Sequence, residues 1–124
     1  MKQGSYIMNE ETQQNSPIDY PSALARIGND ESFLKELLEL YLMDFEAKKE
    51  ALKAAIEGMD FISIQEIGHS LKGSSANLSL NFLKNASYEM EVAGKDRDID
   101  RAKKALEELL QQFQSLKTHL ASKN

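Results

Sequence analysis

Two histidines hold most of the side-chain chemistry this sequence can offer, and their neighbours differ. His69 lies in GHSLKGSSANL, residues 68–78, with Lys72 three positions on and Gly73 four. An imidazole in water titrates near pH ~6.5, so at cytoplasmic pH its neutral form is a competent nucleophile. A cation one helical turn away can stabilise negative charge on a group arriving at a ring nitrogen. No Asp or Glu occupies the third or fourth position after His69, where it would repel such a group. Phosphoryl acceptance fits this set of residues. The chain has neither a G-x-x-x-x-G-K-[ST] loop nor a G-x-G-x-x-G fingerprint. The group would therefore come from another protein rather than from ATP.

A helix turns about 100° per residue, which places these side chains on a wheel. Ile64, Ile67, Leu71, Ser75 and Leu78 share one side, the expected core stripe. His69 falls opposite, among Ile62, Gln65, Lys72, Gly73 and Ala76. Glycine costs about 1 kcal/mol against alanine inside a helix. Gly73 stands one turn after His69, where a side chain would shade the imidazole. With Ile62 as an apolar patch and Ala76 continuing the bare strip, this face is shaped for a macromolecule to approach. An ordinary surface histidine and a packing glycine would give the same wheel; the phosphoryl chemistry favours the first reading.

The remaining candidates read as structural. His119 stands beside Lys117 and Lys123 near the end of the last helical stretch, where cations are favoured. Met90 and Phe82 read as core filling. Lys84, Tyr88 and Glu91 recur at helical spacing on one flank. They read as a solvated face, with the rim of the docking surface as the alternative. The Lys/Glu-rich stretch 46–53 reads as a solvent side with opportunities for pairs four residues apart. His69 has no orienting acid near it in sequence, so no Ser/His/Asp constellation or paired-carboxylate site is expected.

The elements that must position His69 are helical. Apolar residues recur every three or four positions from Pro17 onward, with no convincing alternation. Asp19 can cap a short helix over 20–27, with Pro21 in its first turn and Gly28 as its stop. Asp30 caps a long helix over 31–57 whose apolar stripe is Phe33, Leu37, Tyr41, Phe45, Leu52 and Ile56. Gly58 ends it, and Asp60 caps the next, over 61–78. Ser79 is expected to cap a helix over 80–93, closed by Gly94. The last, over 98–120, turns Leu106, Leu109, Leu110, Phe113 and Leu116 to one side. The expected fold is all-α, an antiparallel up-down four-helix bundle with a short additional N-terminal helix across one end. The domain is expected over 17–121, behind a flexible leader over 1–16.

Composition excludes several classes. At 124 residues, one core is expected. Fifteen Lys and Arg against 20 Asp and Glu give a net charge of −5, which argues against nucleic acid as a partner. Without cysteine there is no disulfide, thiolate zinc site or cysteine nucleophile, and two histidines make a multi-histidine metal site unexpected. No apolar run approaches the roughly 20 residues of a membrane span, and no secretory signal is seen, so a cytoplasmic location without membrane attachment is expected.

The run His69-Ser70-Leu71-Lys72-Gly73-Ser74-Ser75 resembles the H-x-L-K-G-[SA]-[SA] signature of histidine-containing phosphotransfer (HPt) domains. The similarity extends over nearly all of 18–120, including the stretch IDYPSALARIGNDESFLKELLELYLMDF. The resemblance implies a four-helix bundle relaying a phosphoryl group in a multistep phosphorelay, without kinase activity of its own. It makes His69 the phosphoacceptor, Lys72 the phosphate-stabilising cation and Gly73 the clearance residue. Its implied partners are receiver domains of a hybrid histidine kinase and of response regulators. No bound cofactor is implied, and the Mg²⁺ for transfer would sit in the receiver. Family members often carry a polar residue near the imidazole on the following helix, and Glu91 holds that position. A carboxylate there would repel phosphate, so Glu91 is assigned with Ile62, Gln65, Gly73 and Ala76 to the docking surface. Some relatives have glycine where Ser79 stands, a change that looks harmless at a helix start. Two alternatives stay open: the phosphoacceptor module of a chemotaxis-type or hybrid kinase, and an adaptor bundle that docks without phosphorylation.

Overall fold

The computed structural model describes residues 16–123 and contains five helices, with no strand among the described residues. They are α1 (Tyr20–Ala25), α2 (Glu31–Glu57), α3 (Phe61–Asn77), α4 (Asn81–Lys95) and α5 (Ile99–Lys123). The four long helices run antiparallel, with α3 against α4, α4 against α5, and α2 closing the bundle against α3 and α5. The expected bundle with its short N-terminal helix is the fold observed. The leader expected over 1–16 lies outside the described residues except for Ser16, whose hydroxyl donates to the Ile18 carbonyl at 2.8 Å.

Aspartate caps open most of the helices. Side chains of Asp19, Asp30, Asp60 and Asp98 accept from backbone N–H groups three residues on, satisfying donors that a helix start leaves without partners. Each interhelical turn carries a left-handed residue just before the next helix's cap: Asn29, Met59, Ser79 and Arg97, with φ of 63°, 53°, 56° and 55°. Ser79 is thus a turn residue rather than the expected cap. Leu80 holds the cap position of α4, without a side-chain cap bond. The Ser79 hydroxyl instead donates to Ser22 of α1 at 3.1 Å, and its carbonyl accepts from the Asp19 N–H at 3.0 Å. Glycine adopts that backbone more readily, so the serine is not neutral there.

Between the helices lies a core with Phe45 of α2 stacked on Phe113 of α5 at 3.9 Å and Ile64, Leu71, Leu83, Met90, Leu109 and Leu116 fully buried. The stripe of α2 runs through Leu34 and Leu38 rather than Phe33 and Leu37: Phe33 is exposed and Leu37 only half-buried. A spacing of three or four leaves either pair acceptable, and packing selects the one that faces α1 and α5. On α5, Leu106 and Leu110 flank the core while Ala102 and Ala105 fill it. Ser75 is fully buried in the α3 stripe, and its hydroxyl meets the Tyr41 hydroxyl of α2 at 2.7 Å, so neither is orphaned. Burial pushes the Tyr41 phenol well above its ordinary pKa.

The closest helix approach sets up the site. A Cβ at Gly68 of α3 would lie 2.6 Å from the Glu91 backbone nitrogen and 2.9 Å from its Cα. A Cβ at Gly94 of α4 would lie 2.4 Å from the Gln65 backbone nitrogen. Gly94 is therefore buried inside α4, not the stop expected from sequence; the helix continues to Lys95. The two glycines let the α3 and α4 backbones touch.

Candidate functional site

His69 projects from the outer face of α3, with 69% of its side chain exposed. Leu71 and Ser75 hold the opposite face in the core, as the wheel requires. Because Gly68 seats the Glu91 backbone against α3, the Glu91 carboxylate arrives beside His69 and Lys72 together. Its Oε2 lies 2.9 Å from His69 Nδ1 and its Oε1 lies 2.7 Å from Lys72 Nζ. Lys72 Nζ is also 5.6 Å from the ring centre of Tyr88 on α4.

The charge state of Glu91 sets the tautomer of the neutral ring. The Lys72 ammonium, the largest influence, and the hydrogen bond from His69 hold the Glu91 carboxyl below its ordinary range, against the opposing effect of desolvation. An ionised carboxylate only accepts, so Nδ1 must carry a proton and donate it. In the neutral ring this leaves the lone pair on Nε2. The sequence suggested an exposed histidine without an orienting acid; α4 supplies one, 22 residues away in the chain. Glu91, expected on the docking surface, ties the imidazole to the lysine. The signal for it was Gly68, an unexplained glycine beside the histidine.

The other expected surface residues separate. Ile62 is 70% exposed, and Gly73 is open, with nothing within 4 Å of where a Cβ would stand. Gln65 is half-buried, its backbone against Gly94. Ala76 is half-buried too, and Arg26 of α1 donates a guanidinium hydrogen bond to its carbonyl, so the bare strip ends at Gly73. Met59 and Tyr88, not assigned to the docking surface, are also exposed, with 56% and 51% of their surfaces free. His119 is away from this site, its ring 5.9 Å from that of Tyr20. Among the described residues no helix is long and apolar enough to cross a membrane.

The model of the Hpt domain matches residues 36–119, from within α2 to near the end of α5. The chain belongs to the Hpt domain family. It is also similar in structure to histidine-containing phosphotransfer protein B (HptB) of Pseudomonas aeruginosa PAO1. That crystal structure superposes with a TM-score of 0.78 at 22% sequence identity, covering 88% of this chain and 95% of the other. No curated protein matches the sequence. The family accounts for the helical bundle; the exposure of His69 and the Lys72–Glu91–His69 contacts are read from this structure.

Proposed function

We propose that this Hpt domain is a phosphocarrier whose His69 Nε2 takes a phosphoryl group from a receiver-domain aspartyl phosphate and returns it to another. The observation that carries the reading is an exposed imidazole whose Nδ1 is held by Glu91, which leaves Nε2 as the nucleophile. In the forward step the Nε2 lone pair forms the P–N bond while the P–O bond to the donor aspartate breaks. The aspartate leaves as a carboxylate with that electron pair, so no proton need move. The ring becomes cationic, and the Glu91 carboxylate on Nδ1–H offsets that charge. Lys72 is the cation available to the phosphoryl oxygens. The Mg²⁺ that such a transfer needs is expected in the acidic pocket of the receiver.

Gly73 gives the receiver clearance, and Ile62, Met59 and Tyr88 offer it an apolar contact. Receivers of a hybrid histidine kinase upstream and of response regulators downstream, in the cytoplasm, fit this role. The chain has no nucleotide-binding motif, so autonomous kinase activity is not expected.

Incubation of the wild-type chain and His69→Gln with a phosphorylated receiver tests the reading. The wild type should gain an acid-labile phosphate and the variant none, with helix content and melting unchanged because His69 fills no core space. Tight binding of receivers without phosphate transfer would make the chain an adaptor instead.

A further inference from the structure

Glu91 touches both functional groups of the site, and the geometry of the two contacts gives it a second consequence. Its Oε2 is 2.9 Å from His69 Nδ1, while its Oε1 is 2.7 Å from Lys72 Nζ. Nδ1 and Nε2 lie on opposite sides of the imidazole. The carboxylate that holds the ammonium therefore stands on the side away from the acceptor nitrogen. Its side chain is 18% exposed against 69% for His69, so this ion pair is better shielded from water than the ring it serves.

We infer that Glu91 sets the phosphoryl-transfer equilibrium of the site, by competing with the phosphoryl group for the ammonium of Lys72. This rests on His69 Nε2 being the acceptor. Before transfer, Lys72 is paired with Glu91. Once phosphorus is bonded to Nε2, the same ammonium faces two anions, the carboxylate and the phosphoryl oxygens. Whatever it gains from the phosphate it gives up at the carboxylate, so phosphohistidine is stabilised less than by an unpaired lysine. The group stays easy to pass on, as a relay requires. The Tyr88 ring, 5.6 Å from Nζ, lends the ammonium a cation–π contact beside its bond to Glu91.

Glutamine keeps an acceptor for Nδ1–H but removes the carboxylate charge from both Lys72 and the phosphorylated ring, so the Lys72-dependent part is read against a Lys72→Ala background. Its amide carbonyl still accepts from Nδ1–H, so the ring keeps its tautomer, but the charge that holds Lys72 is gone. The test is the equilibrium between a phosphorylated receiver and the chain, read as the ratio of labelled species. It compares the wild type, Glu91→Gln, Lys72→Ala and the double variant, with melting curves confirming that each is folded. Glu91→Gln should favour phosphohistidine about three- to fivefold more when Lys72 is present than when it is absent, the scale of one partly exposed ion pair. In the Lys72→Ala background only the loss of charge beside the ring should remain, since no ammonium is left to release. A shift toward phosphohistidine that is smaller with Lys72 than without it would overturn the inference. So would a shift of equal size with and without Lys72, which would mean that simple repulsion by the carboxylate is responsible. A wild type that takes no phosphate at all would instead remove the phosphocarrier reading beneath it.

Discussion

Replacing Gly73 by leucine separates the clearance role of this residue from a packing role. A Cβ at Gly73 meets nothing within 4 Å, so the backbone and its neighbours need not shift. Exchange of an exposed helix glycine for leucine gains up to about 1 kcal/mol of stability. In a domain of this size that raises Tm by roughly 4–8 °C. The added side chain does not simply point outward. Long side chains on a helix lean toward the turn before them, which places the leucine methyls over the His69 ring. A receiver that must bring an aspartyl phosphate to Nε2 would then meet an overpacked contact, costing about 1–3 kcal/mol, or roughly 5- to 150-fold in transfer rate. Phosphoramidate, which needs no docked protein surface, should lose far less.

The assay pairs a melting curve with transfer rates from a phosphorylated receiver and from phosphoramidate. Gly68→Ala is the contrast, because its Cβ would press on the Glu91 backbone at 2.6 Å. That variant should be destabilised, should displace Glu91 from the imidazole, and should impair both donors together. Were Gly73→Leu to melt lower than wild type yet accept normally from the receiver, the clearance reasoning would be refuted.

Other expectations follow from individual contacts. Lys72→Ala should slow transfer from a receiver, or shorten the phosphohistidine lifetime, without abolishing acceptance; a rate equal to wild type across several donors would deny Lys72 an electrostatic role. Tyr41→Phe should cost about 1–2 kcal/mol in denaturant unfolding, because it strands the buried Ser75 hydroxyl that now meets the Tyr41 hydroxyl at 2.7 Å. Glu91 also makes stability pH-dependent. Its carboxyl is held below the ordinary value of 4.5, so the unfolded chain binds the proton more readily and stability rises with pH through that window. The stability difference between wild type and Glu91→Gln should be complete near neutrality and fade as pH falls below that value; equal pH profiles would contradict this.

Much of the bundle was legible because helical periodicity and aspartate caps are local signals. Asp30 before a 27-residue amphipathic run, and Asp60 before the histidine helix, mark starts that need no tertiary knowledge. The outward direction of His69 was legible for the same reason, since Leu71 and Ser75 anchor the wheel. What failed depended on contacts between helices. Gly94 looks like a stop in the chain because glycine commonly ends helices, but its purpose is the Gln65 backbone pressed against it. Ser79 looks like a cap because serine favours that position, yet the turn requires a left-handed residue one place earlier. Glu91 was noticed by position and judged by its charge alone. Its partnership with Lys72 and His69 exists only because Gly68 lets α4 close onto α3, and neither helix encodes that approach by itself.

In the proposed function, Glu91 fixes the imidazole so that phosphate attaches at Nε2 of His69. Nitrogen–phosphorus correlation NMR on the ¹⁵N-histidine-labelled chain, phosphorylated by a receiver domain, tests it directly. A single phosphorus coupled to Nε2 of His69, with Nδ1 remote from it, is the predicted result. Phosphorus on Nδ1 of His69, on His119, or on an oxygen would contradict it.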